Sequence, residues 1–181
     1  MRLATLALFP TILFALNASA QATDYPSFTI IGLVGGTEYL FQSDATGVAK
    51  AKPPGNDFAS FHALSVDSNW SQLHFKYSCV YSKAPSTNVT LIETPTYEEG
   101  TSCPKDGDSG NSHFVRAIKI TLEGVEAPNY IMSAQCWLGF FQQPGVHETL
   151  TAVGSGEWCG RQLGGADKEW ISWIEVRLRK R

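Results

Sequence analysis

Residues Gln72–Tyr81 read QLHFKYSCVY, and their alternation constrains the fold more than any other stretch of the chain. Leu73, Phe75, Tyr77, Cys79 and Tyr81 fall on one side of an extended backbone. Gln72, His74, Lys76 and Ser78 fall on the other, with Val80 against the pattern. A period of two over this length marks a strand with one face in a core. Cys79 is in phase with the apolar side, so the strand is expected to be stapled from its buried face.

Cys103, Cys136 and Cys159 complete an even set of four cysteines. In an exported chain such a set reads as a disulfide framework, and four cysteines allow three connectivities. The sequential pairing, Cys79–Cys103 and Cys136–Cys159, is preferred because each pair brackets a strand–turn–strand segment of similar size. Loops of this length contribute about 3 kcal/mol each through the entropy of the unfolded chain. The alternative use, metal binding, lacks both a C-x-x-C and a histidine at ligand spacing from a cysteine. No metal and no cofactor are therefore expected.

Export is read from the first twenty residues. Met1-Arg2 is a short positive segment, Leu3–Leu16 is apolar, and Ala18-Ser19-Ala20 is an A-x-A cleavage signal. This is the layout of a signal peptide over residues 1–20, with a secreted domain over 21–181. No later run approaches the length of a membrane span. The whole chain carries a formal net charge of −3, and losing Arg2 leaves it more acidic still. That balance argues against nucleic acid as a partner.

The secreted part alternates between β-rich runs and turn residues. Asp24–Val34 and Thr37–Gln42 flank Gly35-Gly36 as a hairpin. Ser43–Asn56, with Pro53, Pro54 and Gly55, reads as loop, Asp57–Ser65 as strand, and Val66–Ser71 as turn. Asn88–Glu93 is a short strand inside a polar stretch. His113–Glu123 alternates with Phe114, Ile118, Ile120 and Leu122 on one side. Asn129–Leu138 has Tyr130, Met132, Ala134, Cys136 and Leu138 in phase. Val146–Val153 is a weaker strand and Gly154–Gly165 a glycine-rich loop. Trp170–Arg179 closes the chain with Ile174, Val176 and Leu178 inward. No run shows a capped 3.6-residue period. The expected fold is all-β: a single-domain antiparallel sandwich or barrel of about eight or nine strands with two disulfides.

Motifs that carry chemistry are few. Gly107-Asp108-Ser109-Gly110 matches the nucleophile loop of chymotrypsin-like proteases, but neither His62 nor His74 has the flanking sequence of a catalytic histidine, and the chain is too short for the double barrel. Asp106–Asn111 begins like a calcium loop and then fails at Gly110, Asn111 and Ala117. A copper-dependent oxygenase needs histidine at the processed N-terminus, where cleavage after Ala20 leaves Gln21. His147 and Glu148 are adjacent and point to opposite faces of a strand. Glu93, Glu98, Glu99, Glu126, Glu148, Glu157 and Glu169 are numerous enough to contain a glycosidase pair, but no spacing selects two of them. The basic tail, Arg177, Arg179, Lys180 and Arg181, reads as a solvated strand edge.

The aromatic residues are more suggestive. Trp137, Phe140, Phe141, Trp158, Trp170 and Trp173 crowd the C-terminal quarter, and Trp137 and Trp158 each adjoin a cysteine. Trp137 and Trp173 are out of phase with the inward residues of their strands. They are either the second face of a core or the stacking surface of a binding site. Asn69-Trp70-Ser71 and Asn88-Val89-Thr90 are N-glycosylation sequons.

The order of elements over residues 58–160 resembles that of the small secreted β-barrel allergen and effector proteins of filamentous fungi. The elements are an F-x-x-F strand (Phe58, Phe61), a strand ending in Cys79, a Pro/Gly-rich loop to Cys103, a further strand and a second cysteine pair. The resemblance implies an all-β, disulfide-bonded extracellular protein without a known catalytic site, acting at a host or cell-surface interface. The resulting expectation is a secreted binding protein that uses Trp137, Trp158 and Trp173 to meet a carbohydrate or an extracellular protein. The competing expectations are a small polysaccharide hydrolase and a structural wall or coat protein.

Overall fold

The computed structural model describes residues 25–53, 60–83, 90–105, 113–140, 143–162 and 169–181, with backbone alone for 143–146. The expected signal peptide, Phe58, Asn88, Asp106, Asp108 and the G-D-S-G stretch lie outside the described residues. The described chain is all-β, with one three-residue 3-10 turn at Ala127–Asn129.

The strands are β1 (Phe28–Val34), β2 (Thr37–Gln42), β3 (Val48–Ala51), β4 (Ala63–Ser68), β5 (His74–Ser82), β6 (Ile92–Glu93), β7 (Tyr97–Glu98), β8 (Phe114–Glu123), β9 (Tyr130–Phe140), β10 (Gln143–Thr149), β11 (Val153–Gly154), β12 (Trp158–Gly160) and β13 (Glu169–Lys180). Of the thirteen, β6, β7, β11 and β12 have only two or three residues; the expected strands correspond to β1, β2, β4, β5, β6, β8, β9, β10 and β13, and β3 is the one longer strand outside that set. All pairings are antiparallel. One sheet runs β2-β1-β4, a second β10-β9-β13-β3 with β11 on β9, and a third β12-β8-β5-β6 with β7 on β5. The arrangement is sandwich-like around one core. β4 approaches β5, β1 and β2 approach β3, and a disulfide joins β9 to β12.

The alternation of Gln72–Tyr81 is realised as expected along most of its length. Leu73, Phe75, Tyr77 and Cys79 are buried, with Phe28 tilted against Phe75 at 5.5 Å between ring centroids. Burying an aromatic or aliphatic side chain of this size contributes about 1.5–3 kcal/mol. The pattern breaks at Tyr81. A β-bulge between Val80 and Tyr81 pairs Val80 with Ala117 and Tyr81 with Val115, leaving Arg116 as the extra residue. The bulge reverses the phase, so Val80 and Val115 are buried while Tyr81 and Phe114 are only half-buried. Bulges leave one residue outside the ladder and shift phase in this way. The expected sequential disulfides are both present, Cys79–Cys103 and Cys136–Cys159.

Four assignments are corrected. Val48–Ala51, read as loop, is the strand β3 paired with Ile174–Arg177 of β13. Val66–Ser68, read as turn, continues β4. Trp158–Gly160, read as loop, is β12, paired with β8. Arg177 of the basic tail is not at a sheet edge, because it pairs with Ser133 of β9 on one side and Val48 of β3 on the other, whereas Arg179 and Lys180 pair with β9 alone and are exposed.

What makes β3 a strand is the turn before it. Asp44 Oδ1 accepts hydrogen bonds from the Thr46 backbone N–H (2.8 Å), the Thr46 hydroxyl (2.7 Å) and the Val48 N–H (3.1 Å). The Thr46 hydroxyl first, then the two amides, hold the Asp44 carboxyl below its ordinary value. Gly47 takes φ +75°, and a Cβ there would meet the Leu178 carbonyl oxygen at 2.8 Å. Only glycine allows that approach without strain. The Gly47 carbonyl accepts from the Leu178 N–H (2.8 Å), which docks the turn onto β13.

Candidate functional site

The outer face of the β10-β9-β13-β3 sheet is built by three strands in register. Trp137 pairs with Trp173, Gln135 with Glu175, Ser133 with Arg177 and Ile131 with Arg179, while Lys50 of β3 pairs with Glu175 from the other side. The inward partners of these residues, Cys136, Ile174, Ala134, Val176, Met132 and Leu178, are all buried. The outward set therefore follows from the period of two. From Ile131 to Trp137 the strip is about 20 Å long at the rise of an antiparallel strand.

At one end the Trp137 and Trp173 rings lie 5.8 Å apart with a 44° tilt. Lys50 Nζ sits 4.9 Å from the Trp137 centroid and 5.8 Å from that of Trp173, and Lys52 Nζ lies 3.9 Å from the Trp173 centroid. Both lysines are exposed, and the rings are half-buried. Cation–π contacts at exposed positions are worth about 0.5–1 kcal/mol each. His147 flanks Trp173 at 5.4 Å between centroids. At the other end, Ile131, Ser133, Gln135, Glu175, Arg177 and Arg179 line a shallow groove of about 330 Å³. Glu175 pairs with Arg177 at 2.8 Å and with Lys50 at 3.8 Å. Lys52 and Arg179 have no carboxylate partner among the described residues.

The register of β13 carries an irregularity. A bulge between Ile171 and Trp173 leaves Ser172 outside the ladder. Its buried hydroxyl donates to the Trp137 carbonyl (3.0 Å) and meets His147 Nδ1 at 3.2 Å. The Ser172 hydroxyl thus bridges the Trp137 carbonyl and the His147 imidazole and positions that ring beside Trp173.

The structure brings Trp137 and Trp173 together but not Trp158. Trp158 is on β12, on the outer face of the other five-stranded sheet, with Lys119 Nζ 4.8 Å from its ring. The disulfide explains the divergence. Cys136 and Cys159 meet in the core, so the residues next to them point outward on opposite sides. Trp170 belongs to the interior, buried beside Phe114 at 6.0 Å. Sequence reading missed Lys50 and Lys52. The available signal was the alternation of Val48-Ala49-Lys50-Ala51-Lys52, obscured because alanine and lysine are weak strand formers.

A second polar cluster lies at the sheet ends that carry Ser82, Phe114 and Glu169. Arg116, the buried bulge residue, donates through Nε to the Ser82 hydroxyl (3.0 Å) and through Nη1 to the Glu169 carbonyl (2.5 Å). Arg161 holds two carboxylates, Glu169 at 2.6 Å and Glu148 at 2.7 Å. His62 Nδ1 donates to the His113 carbonyl at 2.5 Å. Burial pushes the His62 imidazole below its ordinary value, only partly offset by that carbonyl. His74 is far from His62 in role, lying 3.6 Å from Glu99.

Of the other nominated carboxylates, Glu93 is exposed on β6 and four are engaged locally. Glu99 accepts from the Ser68 and Phe75 amides, Glu98 pairs with Lys76, Glu126 accepts from Asn129, and Glu157 accepts from the Gly154 amide. Among the described residues no group of three or more His, Cys, Asp or Glu side chains is arranged to hold a metal ion, and no helix is long and apolar enough to cross a membrane. Comparison of the chain with protein-family models, with curated proteins and with solved structures finds no match.

Proposed function

We propose that this chain is an exported, non-catalytic binding protein whose outer sheet face takes an acidic extracellular polysaccharide. The observation that carries the reading is the Trp137–Trp173 pair with Lys50 and Lys52 over its rings. Paired rings on rigid strands offer a flat apolar surface for the C–H face of a sugar. A neutral sugar stacking there displaces both ammonium groups and gains nothing from them. An acidic sugar keeps them, exchanging a cation–π contact for an ion pair at the rim of the same ring. Arg177 and Arg179 extend the cationic strip along the direction a chain-like ligand would follow. The strip carries Lys50, Lys52, Arg177 and Arg179 against Glu175 on a chain whose net charge is −3. That local reversal of sign supports an anionic partner.

The hydrolase reading draws less support. A glycosidase needs two carboxyl groups free to act on the substrate, whereas Glu148 and Glu169 are both held by the Arg161 guanidinium, at 2.7 and 2.6 Å.

The deciding experiment is affinity electrophoresis through gels containing a uronic-acid polymer or a neutral glucan. Retardation by the acidic polymer is expected for the wild type and for Trp158→Ala, and is expected to be lost in Trp173→Ala. No retardation of the folded wild type, or full retardation of Trp173→Ala, would overturn the reading. Release of reducing sugar from either polymer would sink its non-catalytic half.

A further inference from the structure

The Asn69-Trp70-Ser71 sequon lies at a structural feature that the binding strip does not use. Asn69 is exposed at the bend between β4 and β5, and Ser71 is exposed two residues on. The Asn69 backbone is held by its N–H to the Ser27 carbonyl (3.0 Å), and Nδ2 donates weakly to the Ser27 hydroxyl (3.2 Å). Beside it opens a cleft of about 410 Å³ lined by Tyr25, Ser27, Trp70, Tyr130 and Lys180. Trp70 stands edge-on to Tyr130 with 6.2 Å between ring centroids, and its backbone is fixed on both sides. Its N–H donates to the Ser68 hydroxyl and its carbonyl accepts from the Leu73 N–H, each at 3.0 Å.

We infer that Asn69 carries an N-linked glycan and that this cleft seats the glycan's first N-acetylhexosamine. Two independent features converge. The tripeptide has an unhindered asparagine, a non-proline centre and an exposed hydroxyl acceptor residue, which is what the modification requires. The cleft at the same side chain supplies what a sugar needs once attached: aromatic rings for the ring C–H face and the acetyl methyl group, with the Ser27 hydroxyl and the Lys180 ammonium at the margin. Attachment displaces one 3.2 Å hydrogen bond from Nδ2 to Ser27, a minor loss at an exposed position. The modification forms a bond from Asn69 Nδ2 to the anomeric carbon of a lipid-linked oligosaccharide; the carbon–oxygen bond to the lipid diphosphate breaks, the diphosphate leaves on its lipid, and one Nδ2 proton is released.

The test uses the full chain, with its own N-terminal segment, secreted from a glycosylating eukaryotic host. Intact mass is measured before and after peptide-N-glycosidase treatment. A glycan present in the wild type and in Asn88→Gln, and lost in both Asn69→Gln and Ser71→Ala, is the expected result. A folded secreted wild type whose mass differs from that of Asn69→Gln by no more than the substitution itself overturns the modification. Seating is read separately, from the acetyl-methyl proton resonance of the first sugar. Ring currents are expected to shift it upfield in the wild type and to release it in Trp70→Ala. A methyl resonance at its free-glycan position in the wild type overturns the seat, whether or not Trp70→Ala folds.

Discussion

The outer faces of the two five-stranded sheets use similar residues to opposite ends. On the β12-β8-β5 face, Lys76 sits between Glu123 at 2.9 Å and Glu98 at 3.2 Å, and His74 faces Glu99. Trp158 stands alone there against Lys119. Charge on that side is largely satisfied from within. On the β9-β13-β3 face, among the described residues, a single acid, Glu175, serves Lys50 and Arg177, while Lys52 and Arg179 have no carboxylate partner and Lys52 lies over a tryptophan ring. Exposed ion pairs contribute little to stability on either side. On the proposed reading the difference is one of recognition: a surface whose charges pair internally has no electrostatic reason to prefer a partner, and one with surplus cations does.

The comparison can be tested at several strengths. Replacing both Cys136 and Cys159 by alanine removes the tie between the two sheets. It is expected to lower stability by about 3 kcal/mol in denaturant titration, while the binding of the remaining folded protein to the acidic polymer is unchanged. Loss of binding beyond the loss of folded protein would mean that the faces are not independent. Gly47→Ala forces a side chain into φ +75° against the Leu178 carbonyl. It should cost about 1–3 kcal/mol, and it should weaken binding because the turn delivers β3 and its lysines to the strip.

A charge reversal at both Lys50 and Lys52 is expected to reduce affinity at least tenfold, about 1.4 kcal/mol, and to flatten its dependence on ionic strength. Reversal at Lys76, on the self-satisfied face, should leave both unchanged. If titration calorimetry finds the two reversals equivalent, the distinction between the faces fails. The smallest effect concerns His62, whose pKa is lower folded than unfolded. The unfolded chain then takes up a proton first as pH falls from 7 through the ordinary histidine range, so stability drops on acidification and levels off below the folded value. In His62→Gln, the decline in Tm between pH 7 and pH 5 should be shallower.

Strands whose inward residues are large and whose partners are regular were legible from the chain alone. Tyr130–Leu138 and Ile174–Leu178 are buried in the phase their alternation gives, because a half-buried strand cannot slip by one residue without turning its core face outward. The failures have local physical causes. Tyr81 and Phe114 were placed inward because nothing in the sequence announces a bulge at Arg116. β3 was lost because its inward residues, Ala49 and Ala51, are too small to look like a core face. Loss of β3 hid the lysines, and with them the sign of the strip. Trp137 and Trp173 were visible as outward residues, whereas the departure of Trp158 to the other face depended on how the second disulfide crosses the core.

Ser172 sits outside the ladder of β13, while Ile171 keeps Leu138 as its neighbour and Trp173 keeps Trp137. Shortening the chain by that one residue would therefore close the ladder without turning either tryptophan over. What would disappear is the hydroxyl that links the Trp137 carbonyl to His147. The position is an insertion the sheet can absorb or give up, so chains of different length could keep the same pair of rings and differ only in whether an imidazole is held beside them.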